Sequence, residues 1–402
     1  MLRARSYVRR YPVKGPVLLV LGLAAGACTS SSAPQSAGDL VAVIGGEANS
    51  IAIVAAADSR VVARSGPTQP GKDAAAIVPD GKRFDVVDVG RAGRNLLTIR
   101  TQDFQVSSRV ALNSPVAPHA FDGVYIGGDA LAFSPDDKAL LVGNAYRNDT
   151  APPIDGEYVA ALDAYATHVV AVVGPLQVRE GLGLTALPPG PAAPNGAILG
   201  IGSRSRSGVG GVNTVDRLWV IDPTTLTIVD SLQPEPDPAA GADALLRQVV
   251  ASPDGRHAYV VSDGGVIYAC DLVQNRVVAT APAYGTGQLA IAPDGQTLYL
   301  TDHGDYIDTP GSGQVYVYGA DLQSHPAIDL RPTFVGSIPA THGVVVSPSD
   351  SVLYVATGTA SRGPLYGSQR LQVLVIDLTG RTPIRKIPVG DWGTAILLVV
   401  SR

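Results

Sequence analysis

From residue 40 onward, short apolar runs alternate with clusters of Gly, Pro, Asp and Ser, and no run has helical spacing over a useful length. The clearest stretch, residues 246–282, reads "LRQVVAS", a turn, "HAYVVSD", "GVIYACDL", a second turn and "RVVATAP". Alternation and enrichment in Val, Ile, Tyr and Thr predict four consecutive strands joined as hairpins. Between the first two runs Pro253 fixes φ, Asp254 bonds its local backbone, and Gly255 takes the positive φ that closes the turn. Asp254 and its counterpart Asp294 are therefore read as turn residues rather than acids.

The pattern returns as "APDGQTLYLTD", "SPSDSVLYVATG", "SPDDKALLVGN" and, more worn, "VPDGKRFDVVDV". Pro253 and Pro293 are 40 residues apart, a period that marks solenoids and propellers. Units fall near 75–112, 129–174, 182–232, 245–282, 287–339 and 342–389. Three further runs follow residue 39, and "GTAILLVV" stands alone near the C-terminus. Joined in one sheet, these make a seventh unit. The fold class expected is thus all-β: a seven-bladed β-propeller with four-stranded blades, its ring closed by the C-terminal inner strand pairing with the N-terminal strands. Closure leaves no long sheet edge exposed. First strands favour small or β-branched residues ("VVAS", "LAIA", "VVVS"), as suits convergence on an axis. Tyr259, Tyr299 and Tyr354 share one place in second strands, where a ring fills the space between neighbouring sheets.

The ends of the chain change the picture. Residues 1–28 combine Arg3, Arg5, Arg9, Arg10 and Lys14 with the apolar run "VLLVLGLAA" and small residues before Cys28, the layout of a bacterial export signal. The ending "AAGAC" resembles a lipoprotein lipobox, which implies lipidation of Cys28 and a membrane anchor. Plain secretion with a free Cys28 is the alternative. Residues 29–38, "TSSSAPQSAG", are too polar to fold and read as a tether, leaving 39–402 as a single propeller. The expected location is extracytoplasmic, on the periplasmic or outer side of a bacterial membrane. Cys270, in a strand-like run, is read as a small buried hydrophobe.

With 45 Gly, 31 Pro, 46% hydrophobic and only 16% charged residues, the chain suits many short strands around a large core. Net charge is −5, and removing the basic leader takes the body to −10; an acidic body of this kind argues against nucleic acid as a partner. The sequence lacks Cys-x-x-Cys-His, the phosphate-binding Gly-x-x-x-x-Gly-Lys-Ser/Thr pattern, His-Glu-x-x-His and the Gly-x-Ser-x-Gly elbow, so no cofactor is expected.

The repeated units resemble the YVTN-type β-propeller family, most clearly in the last three complete units, with "YVVSD", "YLTDH" and "YVATG" in place of the literal signature. In such a propeller, the long segments "AYRNDTAPPIDGE", "SRSRSGVGGVNTVD", "DHGDYIDTPGSG", "TASRGPLYGSQ" and "NSPVAPHAFDGVYIGG" all leave one face. That is where a rigid scaffold places recognition. Arg247, His342, Asp391 and Trp392, just ahead of inner strands, and His303 in a neighbouring loop form the candidate ligand-binding set. Asp302 and Asp305, in "DHGDYID", are weak candidates for calcium, though their spacing is not that of the helical calcium loop. His119, His168, His257 and His325 are scattered; His168 and His257, beside strands, are read as surface or packing residues. The expected function is binding or scaffolding of an envelope protein, glycan or small ligand by a monomer. Resemblance to propeller lactonases implies the alternative, a hydrolase with His342 as general base and Arg247 steadying the oxyanion.

Overall fold

A computed structural model describes residues 39–45, 51–64, 72–78, 81–90, 93–113, 121–126, 130–146, 158–174, 176, 180–203, 217–234, 246–262, 264–285, 287–302, 312–334, 340–358, 371–390 and 395–400. They form seven antiparallel sheets built on four strands each, in sequential order from the axis outward except in the blade that joins the two chain ends. Blade 2 comprises Lys72–Ile77, Arg83–Gly90, Gly93–Arg100 and Val106–Asn113. Blade 3 comprises Leu131–Phe133, Ala139–Tyr146, Tyr158–Asp163 and Val169–Val173, with the short Tyr125–Ile126 lengthening its inner edge. Blade 4 runs through Glu180–Leu187, Ala197–Ser203, Arg217–Asp222 and Thr227–Leu232. Blade 5 holds Leu246–Ala251, His257–Ser262, Val266–Asp271 and Arg276–Pro282. Blade 6 holds Leu289–Ile291, Thr297–Thr301, Gln314–Gly319 and Ser324–Asp329, and blade 7 holds Ala340–Val346, Val352–Gly358, Gln372–Asp377 and Thr382–Pro388.

Blade 1 is the one built from both ends of the chain. Its inner strand, Ala395–Val400, pairs antiparallel with Leu40–Gly45 in the register Val41 to Val399 and Val43 to Leu397; Ile51–Ala55 and Arg60–Arg64 complete it. The all-β, seven-bladed, end-closed ring read from the repeat is the observed architecture. Among the described residues the sole helical element is a single 3-10 turn, Arg331–Thr333.

The core is a set of seven seams rather than one central mass. Each apolar cluster joins two neighbouring blades, and the seam between blades 7 and 1 packs Val345, Tyr354, Val373 and Val375 against Val41, Val43, Ala52 and Val54. Both faces of every sheet are therefore covered, so third strands such as Val266–Asp271 are buried along their whole length. The turns behave as the sequence dictates. Asp254 and Asp294 each accept the backbone N–H two residues on, at 2.8 Å, and Gly255 and Gly295 sit at φ 66° and 74°. A second device repeats at the end of third strands. Asp163, Asp222, Asp271 and Asp377 turn their carboxylates onto the N–H groups of the following hairpin, a local alternative to backbone pairing that fixes the turn.

Candidate functional site

The lengths of the connections separate the two ends of the barrel of blades. At one end, inner strands join second strands and third strands join outer strands by tight turns such as 252–256, 272–275, 292–296 and 378–381. At the other end, second strands join third strands through 147–157, 204–216, 302–313 and 359–371, and outer strands reach the next inner strand through links such as 233–245 and 330–339. The longest of these segments are thus attached to one face, while the opposite face carries tight turns and the nine-residue link 188–196 of blade 4.

The mouth of the channel on that face is shaped by a repeated irregularity. Inner strands begin there, and in four blades the pairing of inner to second strand slips near this start: between Lys72 and Ala75, Glu180 and Gly183, Leu246 and Gln248, and Thr341 and Val344. An inserted residue in one strand re-aims side chains and bends the edge. Arg247 is the inserted residue in blade 5, and His342 with Gly343 occupies the irregularity in blade 7. Both candidates therefore lie within inner strands rather than just ahead of them. They belong to blades separated by blade 6, and they differ in exposure: Arg247 is half-buried and His342 is 3% exposed.

Hydrogen bonds hold the inner strands of blades 5, 6 and 7 together at this end. The Gln248 amide donates to the Leu289 carbonyl at 3.1 Å and accepts the Leu289 N–H, linking blades 5 and 6. The Thr301 hydroxyl accepts the Gln288 N–H and donates to the His342 carbonyl, each at 2.7 Å, linking blades 6 and 7. Next to it, the Thr341 hydroxyl accepts the Asp302 N–H at 2.7 Å and meets the Asp302 carbonyl at 2.8 Å. Gln248, Thr301 and Thr341 are all buried. Such satisfied polar contacts give a rigid rim in place of a soft one.

Asp302 has a structural task there. Its carboxylate accepts the Ser312 N–H at 2.7 Å and so closes the base of the connection 303–311. His303, Asp305, Asp391, Trp392 and Cys28 lie outside the described residues, as does His119. Among the described residues no group of three or more His, Cys, Asp or Glu is placed to hold a metal ion. His257 stands between Asp254 and Asp271, at 3.6 and 3.9 Å, and His168 lies 3.4 Å from Asp163.

Sequence reasoning missed a charged cluster at the seam of blades 2 and 3. The Arg83 guanidinium donates to the Ala164 carbonyl and lies over the rings of Phe133 and Tyr165, 5.7 and 4.9 Å from their centroids. Asp85, 1% exposed on the same strand, is pushed by burial from 3.8 to about 7, against the opposing pull of a Thr98 hydrogen bond and the Arg83 charge. The signal was an Asp inside an apolar strand, "RFDVVDV", in a sheet whose two faces are both covered.

No family model matches the chain, and no curated protein matches it by sequence. Solved structures do resemble it. A functionally unknown protein from Desulfotomaculum acetoxidans superposes with a TM-score of 0.60 at 15% identity, over 90% of this chain and 99% of that one. The Cps50 (Swd1) β-propeller domain of Myceliophteria thermophila gives 0.53 at 12% identity, over 81% and 88%. Hydrazine synthase of Kuenenia stuttgartiensis gives 0.53 at 14% identity, over 80% and 87%. At these identities the likeness is one of fold alone.

Proposed function

We propose that this chain is an exported, lipid-anchored β-propeller that acts as a binding or scaffold module, presenting its looped face to an envelope protein, a glycan or a small ligand. The leader and Cys28 supply the anchor, residues 29–38 the tether, and the ring a rigid platform. The observation that carries the reading is the one-sided attachment of the long connections 147–157, 204–216, 302–313 and 359–371, around a channel mouth whose inner strands are bulged and stapled. Variable loops on a rigid scaffold are where recognition concentrates.

Site-specific photo-cross-linking in native cells tests it. A benzophenone amino acid is placed at Ser207 or Tyr366, in the long connections, and at Gln274 or Gln296, in the tight turns of the opposite face. Adducts are identified by mass so that protein, glycan and small molecule are all seen. Adducts from Ser207 or Tyr366 alone are expected. Adducts only from Gln274 or Gln296, or from none of the four, overturn the reading.

A further inference from the structure

Away from the channel, the seam between blades 5 and 6 carries a cleft of about 280 Å³ lined by Tyr284, Tyr316, Val317, Tyr318, Ser324 and His325. Tyr284 and Tyr316 form its walls, with ring centroids 5.6 Å apart and planes inclined at 42°. Tyr284 is 60% exposed, so the fold gains little from burying its ring. Its backbone is nonetheless held on both sides. Ala283 donates to the Gly265 carbonyl at 2.7 Å. The Tyr318 hydroxyl donates to the Pro282 carbonyl at 2.9 Å and accepts the Tyr284 N–H at 3.4 Å. Gly285 and Gly287 press so closely on Thr301 that a Cβ would come within 2.4 and 2.3 Å of its oxygens. An exposed aromatic ring on a strap fixed at this many points is preorganised, which lowers the entropy lost when something stacks on it.

We infer that this cleft is a carbohydrate-binding site for one ring of a neutral saccharide, distinct from the channel mouth. No Lys, Arg, Asp or Glu is among the lining residues, which suits a ligand without formal charge. Two inclined aromatic walls offer an apolar seat, as aromatic side chains with a polar tip do at binding surfaces, and a pyranose presents a C–H face to such a ring. The Ser324 hydroxyl and the His325 imidazole, both exposed on the outer strand of blade 6, and the phenol groups of Tyr284 and Tyr316 then serve the sugar hydroxyls. The volume holds a single ring, so a longer chain runs outward over the exposed edge strand.

The test is calorimetric titration of the folded protein with neutral hexasaccharides of glucose, mannose and N-acetylglucosamine, in both linkage types where these exist. At least one is expected to bind, with affinity falling about tenfold or more in Tyr284→Ala and largely retained in Tyr284→Phe. Arg247→Ala, at the channel mouth, is expected to leave this binding unchanged, which separates the site from the looped-face reading. The exposure of Tyr284 leaves the fold intact in the variant, checked by an unchanged melting temperature. Absence of binding by every hexasaccharide at millimolar concentration, binding unaffected by Tyr284→Ala, or binding of an oligoproline peptide in place of the sugars would overturn the proposal.

Discussion

The hydroxyl of Tyr354, in the second strand of blade 7, donates to the carboxylate of Asp39 at 2.7 Å. It fastens the first described residue of the chain to a blade 315 positions later. Tyr259 makes the equivalent reach from blade 5, donating to the Ala320 carbonyl of blade 6 at 3.0 Å. Burial first, and for Tyr354 also the Asp39 charge, raises both phenols far above ordinary tyrosine, to about 12 for Tyr259. Each therefore stays a donor over the whole physiological range. Tyr354→Phe is expected to cost about 2 kcal/mol in urea unfolding, because the lost partner is a charged acceptor; Tyr259→Phe, with a neutral acceptor, is expected to cost about 1 kcal/mol. Equal effects would show that the ring closure draws nothing from the carboxylate.

Asp85 sets a pH dependence. Its folded value near 7 lies above the unfolded 3.8, so its contribution is complete below about pH 4. It is lost as pH rises toward 7, because the unfolded chain releases the proton first and the folded state must then bury a charge. Up to about 4 kcal/mol is at stake. Denaturant midpoints measured at pH 4.5 and pH 8 are expected to differ more for the native chain than for Asp85→Asn, which removes the titration. The same pH difference in both would contradict the assignment.

Gly287 tests the rim that joins blades 6 and 7. A Cβ there would lie 2.3 Å from the Thr301 hydroxyl oxygen and 2.6 Å from its carbonyl, displacing the residue that bonds both Gln288 and the His342 carbonyl. Gly287→Ala is expected to destabilise by about 1–3 kcal/mol. Alanine at half-buried Gly265, at φ 81° but with nothing nearer than 3.5 Å, loses no such contact and separates close approach from backbone strain.

What could be seen in the sequence follows from what is local. The Pro-Asp-Gly turns and the recurrent Tyr of second strands carry their own short-range chemistry, so blade spacing and the seam role of Tyr259, Tyr299 and Tyr354 were legible. The bulges at Arg247 and His342 depend on register between two strands, which no single run of residues encodes, and these side chains were accordingly placed ahead of the strands. Asp85 was marked by nothing more than its place inside an apolar run, because alternation is a guide only when one face meets water, and here both faces of each sheet meet another blade. Tyr284 and Tyr316 meet only once two blades pack, so the cleft had no signal in either segment. The terminal Asp of third strands, in "ALD", "VID" and "ACD", was a readable repeat that passed unnoticed.

Cys270 provides a reporter of opening. Fully buried in blade 5, its thiol is pushed up to about 12 by desolvation, so the reactive thiolate is scarce and shielded. Iodoacetamide labelling at pH 8 is expected to proceed only at the rate of unfolding. Labelling at the rate of a free thiol would mean that blade 5 opens locally.

Closure of the ring by its two ends determines which connections share a face. The direct measurement is disulfide formation in the double variant Val41→Cys and Val399→Cys, residues directly opposed in blade 1, made without Cys28 and Cys270. A closed ring gives spontaneous oxidation, a faster-migrating band on non-reducing gels, and a gain of about 5 kcal/mol from tying so long a loop. Two free thiols in the folded protein would contradict closure.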